Sequence, residues 1–135
     1  MPIEIDHLGI AVQSLDEGLR FYETMLGMSV THRETVEAEG VSVAMLPAGA
    51  TPASPRIELL EAAGGDSVIA RFIGKRGPGL HHIALRVDDL AQTVERLMSE
   101  GARLMNEPRL GAGGHLYAFV HPASTGGVLL ELIQK

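Results

Sequence analysis

The chain has 135 residues, of which 45% are hydrophobic and 21% charged, and its formal net charge is −6. That length and apolar content suffice for one domain with a buried core, whereas the acidic charge and the absence of tryptophan argue against a nucleic-acid surface. Because the chain contains no cysteine, disulfides and thiolate zinc sites are excluded.

Two further absences concern location. No apolar run is long enough to cross a bilayer, and residues 1–4 lead directly into a strand pattern without a secretory leader. We therefore expect a cytoplasmic protein with no membrane and no nucleic-acid partner.

The first half of the chain predicts the order β-α-β-β-β. Residues 3–12 alternate like a strand, and the capping-box spacing of Ser14 and Glu17 begins a helix that ends at Gly27. The apolar stripe of that helix is Leu15, Leu19, Tyr22 and Leu26. Strands follow over residues 28–36, 41–47 and 56–61, with a turn near Glu39-Gly40 and a loop over 47–55.

A helical connector over residues 66–77 begins at Asp66 or Ser67 and is broken between Gly74 and Gly79. The order then repeats. A strand at 81–87 precedes a helix that is capped by Asp88 or Asp89, ends at Gly101 and has Leu90, Val94, Leu97 and Met98 on one face. Strands are predicted at 102–105, 116–121 and 127–133, with a loop at 106–115 that contains Gly111-Ala112-Gly113-Gly114.

The first strands of the two halves carry the same pattern. In one, Leu8, Ile10 and Val12 oppose His7, Gly9 and Ala11; in the other, Ile83, Leu85 and Val87 oppose His82, Ala84 and Arg86. One face carries bulky apolar side chains, which is typical of a face that packs on a core. The other carries mostly small side chains around a histidine, which is typical of a cavity wall. The duplication predicts an α+β fold in which two paired βαβββ modules, about 3–62 and 80–135, have curled mixed sheets that enclose a metal-binding cleft. We expect one domain over residues 1–135.

Each half also carries a glutamate inside its last strand. Glu131 lies within Val-Leu-Leu-Glu-Leu-Ile, where an unpaired carboxylate is costly to bury, and Glu58 follows His7 at almost the same spacing as Glu131 follows His82. Two imidazoles and two carboxylates suit a divalent first-row cation, whose open positions would chelate two substrate oxygens and stabilise an enolate. Taken singly, each of these residues has an ordinary structural explanation; the matched repeat favours a joint site.

The remaining histidines lack such a repeat. His81 alternates away from His82, which indicates a structural or supporting role, and His121 precedes Pro122 at a strand end, as in a loop. His32 and His115 have no counterpart. The run Gly111–Gly114 lacks the strand-to-helix context of a nucleotide-binding loop, so a flexible turn is the simpler interpretation.

Five stretches together resemble the methylmalonyl-CoA epimerase family, within the vicinal oxygen chelate superfamily that includes glyoxalase I and extradiol dioxygenases. They are Ile5–Val12, Ile57–Glu61, Asp66–Phe72, Gly79–Ala84 and the ending His121-Pro122 through Gly126-Gly127-Val128-Leu129-Leu130-Glu131-Leu132.

The resemblance implies metal ligands at His7, Glu58, His82 and Glu131, with Co²⁺ as the expected ion and Mn²⁺, Ni²⁺, Fe²⁺ or Zn²⁺ as alternatives. No other cofactor is implied. The implied reaction is a 1,1-proton transfer at C2 that interconverts (R)- and (S)-methylmalonyl-CoA. An acyl-CoA partner and a homodimer follow from the same resemblance.

By the same resemblance Glu131 is one of the two acid/base groups. Some family members carry the other as a glutamate in the strand after the Glu-x-Gly turn, a position that falls on Val43 here. Glu58 or Glu39 would then replace it, and we expect Glu58, because it is paired by the repeat with Glu131.

Three alternatives stay open. A glyoxalase I would use a similar site for a 1,2-proton transfer on a glutathione hemithioacetal, and a non-catalytic binding protein would use the cleft alone. The histidines and glutamates would also fit a purely structural role, with the glutamates paired to arginines. Cations for a CoA substrate are sought among Lys75, Arg76 and Arg109, which are predicted to lie in connecting loops.

Overall fold

The computed structural model describes residues 3–135 and contains eight strands and three α-helices in those residues. The first half comprises β1 (Glu4–Ala11), α1 (Leu15–Leu19), a π-helical turn (Arg20–Met25), β2 (His32–Val36), β3 (Val41–Pro47) and β4 (Arg56–Ala62). After α2 (Val68–Arg76) come β5 (Gly79–Val87), α3 (Leu90–Ser99), β6 (Arg109–Leu110), β7 (Leu116–Val120) and β8 (Leu130–Gln134). The α+β class and the repeated β-α-β-β-β order are confirmed.

The chain divides into two compact units, one formed by residues 7–81 and the other by residues 3–6 with 82–135. In the 7–81 unit the strand order is β2-β3-β4-β1, with β4 and β1 parallel and the other pairs antiparallel. In the other unit the order is β5-β8-β7-β6, with β5 and β8 parallel and the other pairs antiparallel. Each unit therefore ends in a parallel pair formed by its first and last strands.

Each unit buries an apolar face of its sheet beneath a helix. In the 7–81 unit, Leu15 and Leu19 of α1 pack on Ala44, Leu46 and Leu59, with Ile10 and Val12 beside them. In the other unit, Leu90 and Val94 of α3 pack on Val87, Ala118, Val120 and Leu132, with Leu85 beside them. The bulky face of both repeated strands thus meets the core, as expected, and leaves the histidine face opposite.

The predicted caps form. Ser14, Ser67 and Asp89 each accept a backbone N–H bond with the side chain at the start of α1, α2 and α3. Gly27 has a φ of 81°, which a residue with a side chain rarely adopts.

Two residues on the predicted apolar faces of their helices are exposed. Leu26 is 58% exposed, because the turn Arg20–Met25 is π-helical and the Leu26 N–H bonds back to the Phe21 carbonyl, which shifts the phase of the stripe. Met98 is 61% exposed. Adjacent helix positions point about 100° apart, and Leu97 takes the place in the narrow stripe of α3.

Several predicted boundaries also differ. β2 begins at His32 rather than 28, and residues Met28 and Val30 pack on the core without strand pairing. α2 continues through Gly74 to Arg76 and ends before Gly77. β8 begins at Leu130, because Gly126 and Gly127 have positive φ angles.

One predicted strand in the second half does not form. Residues 102–105 form an isolated bridge through Leu104 instead of a strand, and β6 lies at Arg109–Leu110, within the predicted loop. The Asn106 side chain accepts the Phe119 N–H at 2.9 Å, so a side chain replaces the backbone partner that would have extended the ladder.

Candidate metal centre and active site

The first candidate pair lies in the 7–81 unit. His7 on β1 is 2% exposed and Glu58 on β4 is 4% exposed, and His7 Nε2 lies 3.3 Å from Glu58 Oε1. The parallel register places Gly9 beside Glu58. Because Gly9 has no side chain, the carboxylate can turn toward the imidazole two residues earlier on β1.

The second pair repeats this arrangement in the other unit. His82 on β5 is 4% exposed, Glu131 on β8 is 8% exposed, and His82 Nε2 lies 3.0 Å from Glu131 Oε1. The residue beside Glu131 in the parallel register is Ala84, again small and again two positions after the histidine. The pairing expected from the sequence therefore exists within each unit, on equivalent strands.

The residues across from the two glutamates differ. Met45 lies opposite Glu58 in the antiparallel register of β3 and β4, whereas Phe119 lies opposite Glu131 in that of β7 and β8. The Phe119 ring packs on the His82 ring with centroids 5.5 Å apart and planes at 87°. Sequence analysis missed Phe119; the alternation of Tyr117 and Phe119 in a strand before Glu131 was the available signal.

The donor atoms of each pair are spaced as ligands of a single ion would be. Two atoms about 2.1 Å from one cation are about 3.0 Å apart at a right angle and about 3.4 Å apart at the tetrahedral angle. The observed separations are 3.3 Å for His7 and Glu58 and 3.0 Å for His82 and Glu131. An imidazole and a carboxylate are also donors that first-row divalent ions accept, so both pairs fit a metal ion.

A group of charged residues lies in the unit of His82 and was missed from the sequence. Asp6 has a side chain only 1% exposed, and its Oδ1 lies 3.1 Å from Lys135 Nζ and 3.6 Å from the Arg86 guanidinium. Arg86 also contacts Glu4. Arg86 follows His82 on β5 and Lys135 lies just beyond β8, so these ion pairs join three segments of the unit that carries His82 and Glu131.

The other histidines have the structural roles expected of them where contacts are described. The His81 ring packs on Phe72 of α2 at 4.9 Å, and His121 Nδ1 accepts the Ala123 N–H in a short 3₁₀ turn. His32 Nε2 lies 2.7 Å from Glu34 on the exposed face of β2. His115 is half-buried and follows the Gly111–Gly114 run.

Position 43 carries no acid. Val43 is 1% exposed and, by alternation along β3, faces the same side as Met45 and Glu58. Glu39 is half-buried in the 3₁₀ turn Glu37–Glu39. Of the two candidates for the second acid/base, Glu58 is therefore the one for which the structure describes a buried contact with an imidazole.

The three candidate cations do not lie in connecting loops as predicted. Lys75 and Arg76 occupy the last turn of α2, which runs past Gly74, and Arg109 lies on β6. In the antiparallel register Arg109 is opposite Tyr117, and all three cations are exposed.

The family model of the glyoxalase/bleomycin resistance protein/dioxygenase superfamily matches residues 6–119. The chain belongs to this superfamily. Membership accounts for the repeated βαβββ modules and confirms the resemblance drawn from the sequence.

Within the superfamily, the mitochondrial methylmalonyl-CoA epimerase of Homo sapiens is 38% identical over 132 residues, covering 96% of this chain and 73% of that protein. A solved methylmalonyl-CoA epimerase in complex with methylmalonyl-CoA and NH4+ is 36% identical with a TM-score of 0.93, covering 100% of this chain and 96% of that one. A more distant superfamily member, a probable lactoylglutathione lyase of Synechocystis sp., is 30% identical over 129 residues, covering 95% and 92%. Among the described helices, none is long and apolar enough to cross a membrane.

Proposed function

We propose that this protein is a methylmalonyl-CoA epimerase, an isomerase that transfers a proton at C2 of an acyl-CoA. The observation that carries the proposal is the duplicated buried His–Glu pair, in a superfamily chain whose relatives include named epimerases. An epimerase must remove a proton from one face of a carbon and return one to the other. Two equivalent buried carboxylates supply a group for each face.

His7, Glu58, His82 and Glu131 together would hold one divalent cation. The support is chemical: His7, Glu58 and His82 are buried residues of the types that bind metal ions, and Glu131 is buried against His82. Co²⁺ is the first candidate, with Mn²⁺, Ni²⁺, Fe²⁺ and Zn²⁺ as alternatives. Such an ion, when bound, supplies the Lewis acidity that makes a C2 proton easier to remove.

The two glutamates divide the proton transfers between them. Glu131 accepts the proton from one epimer while Glu58 donates to the opposite face, and the roles exchange in the reverse direction. Each imidazole Nε2 lies within 3.3 Å of its carboxylate oxygen, so histidine and glutamate can bind the same ion, which would hold each glutamate in place. Val43 and Leu60 keep one side of Glu58 apolar, which limits competing exchange with water.

The proposed partner is a small acyl-CoA substrate. We expect the protein to be a cytoplasmic homodimer in which residues 1–135 of each subunit form one domain. The exposed Arg109 on β6 is the candidate cation for the CoA phosphates, because it lies across from Tyr117 on the strand that also carries Phe119. Lys75 and Arg76 remain candidates in α2.

A second candidate is glyoxalase I, favoured by the relationship to the lactoylglutathione lyase. A glyoxalase I also requires a carboxylate base beside a divalent metal ion, but its reaction is a 1,2- rather than a 1,1-proton transfer. A binding protein without catalysis would not need both buried pairs.

The test is isotope exchange. Purified protein is incubated with methylmalonyl-CoA in D₂O, with and without a chelator, and deuterium at C2 is followed by mass spectrometry. We expect rapid exchange that is lost on chelation and restored by Co²⁺ or Mn²⁺. Absence of exchange in fully metallated protein would contradict the epimerase function, and turnover of the methylglyoxal–glutathione hemithioacetal would then support the second candidate.

A further inference from the structure

We infer that Phe119 is a positioning residue for His82: its ring holds the imidazole in the orientation that presents Nε2 toward Glu131. The inference rests on the proposed metal-binding role of His82 and adds a residue that touches neither metal nor substrate in that role. It also gives a role to Gly111, which the proposed function does not use.

The contacts form a continuous series within one unit. The Phe119 ring meets the His82 ring at 5.5 Å with planes at 87°, and the Tyr117 ring meets Phe119 at 5.6 Å with planes at 77°. These are edge-to-face arrangements, which aromatic rings prefer. Because Phe119 is also directly opposite Glu131, its ring stands beside both members of the pair.

At the far end of this series of rings, the backbone at Gly111 passes close to the Tyr117 ring. A Cβ atom added at Gly111 would lie 2.7 Å from Tyr117 Cε1, so only glycine lets the chain pass this ring. Tyr117 is buried, at 7% exposure, so its ring is confined by the packing around it. Gly111 therefore leaves room for the Tyr117 ring, which packs on Phe119, and Phe119 packs on His82.

Holding the imidazole matters because rotation about its side-chain torsions would turn Nε2 away from Glu131. Groups that orient a metal-bound histidine commonly change metal affinity by about 10- to 100-fold. A ring contact is weaker than the hydrogen bonds behind that range, and an edge-to-face pair corresponds to about 3- to 10-fold.

The test compares Phe119→Leu with Met45→Leu, the matched change opposite Glu58 in the other unit. Co²⁺ affinity is measured by competition with a chelating dye at 25 °C, where both variants are folded. We expect Phe119→Leu to weaken binding by about 3- to 10-fold and Met45→Leu, a volume-conserving swap, by less than about twofold. Phe119→Tyr keeps the ring and is expected to restore wild-type affinity.

A second measurement separates orientation from general destabilisation. Long-range ¹H–¹⁵N spectra of the metal-free protein report the tautomer of His82, and we expect one tautomer in the wild type and a mixture in Phe119→Leu. Wild-type affinity and a single tautomer in Phe119→Leu, even with a lowered melting temperature, would overturn the inference. Failure of the wild type to bind Co²⁺ would instead overturn the proposed metal site.

Discussion

The pairs His7–Glu58 and His82–Glu131 are built alike and supported differently. In both, a histidine on the first strand of a unit lies near a glutamate on its last strand. The residue beside the glutamate in the parallel register is small and lies two positions after the histidine. Across from the glutamate, however, the first pair meets the flexible Met45 and the second the ring of Phe119. The ion pair between Asp6 and Arg86 also lies in the unit that contains the second pair.

This difference indicates that the repeat preserved the His–Glu pair while its surroundings diverged. Methionine adapts to irregular shapes, whereas an aromatic ring has few rotamers and a fixed outline. We therefore expect the His82–Glu131 pair to be the better ordered half of the site, and the His7–Glu58 pair to accommodate changes in the substrate. The experiments below test where the two halves are equivalent and where they are not.

The largest expected effect comes from removing either carboxylate. Glu131→Gln and Glu58→Gln should each lower exchange at C2 by about 10²- to 10⁴-fold, but for opposite epimers, since each glutamate serves one face of the carbon. Exchange into separately prepared (R)- and (S)-methylmalonyl-CoA measures this. Full turnover and metal content in Glu58→Gln would exclude Glu58 as the second base and turn attention to Glu39.

Core substitutions test whether the two units are one cooperative domain. Leu59 and Leu90 are both 0% exposed, one in each unit, and replacing either by alanine should lower the free energy of unfolding by about 2–5 kcal/mol. The chain has two tyrosines, and Tyr22 and Tyr117 report on different units in NMR-detected denaturation. We expect both to follow one shifted transition in either variant; separate transitions would contradict the single-domain prediction.

Removal of an imidazole tests the equivalence of the pairs as ligands. His7→Ala and His82→Ala should each weaken Co²⁺ binding by more than about 100-fold, because a lost ligand costs more than a lost supporting group. Calorimetric titration measures both, with His81→Ala as the control, since that ring packs on Phe72 instead. Tight binding in either ligand variant would show that one pair alone forms the site.

The smallest effect is expected at the exposed Glu4, and a much larger one at its buried neighbour Asp6. Glu4 is more than half exposed, and Glu4→Gln should change the free energy of unfolding by no more than about 1 kcal/mol. Asp6 is buried between two cations, so Asp6→Ala should cost about 3–5 kcal/mol. Chemical denaturation measures both, and equal effects would mean that Asp6 is not the centre of the network.

Local patterns were sufficient to predict the parts of the fold that depend on neighbouring residues. Ser14 could be identified as a cap, and the other two caps could be narrowed to Asp66 or Ser67 and to Asp88 or Asp89, because the hydrogen bond that defines a cap spans only three residues. His7, Glu58, His82 and Glu131 could be paired because the chain repeats itself, which replaces the missing information about distant contacts.

The misses share a physical cause. The π-helical turn that exposes Leu26 and the replacement of a backbone partner by Asn106 both depend on contacts made after the chain folds. Phe119 and Asp6 acquire their roles from residues far away in sequence, through strand register and ion pairs. The repeat could not reveal Phe119, because its counterpart in the first half is Met45.

The pairing of Asp6 with Lys135 bears on the order in which the chain acquires structure during synthesis. Residues 7–81 are contiguous and contain β2, β3, β4 and most of β1, so this part can close its sheet once β4 has left the ribosome. Residues 3–6 must wait for the final residues before their carboxylate meets its ammonium partner. The N-terminal segment is thus synthesised first and completes its ion pairs late, and a nascent chain arrested before β8 should lack the contact between Asp6 and Lys135.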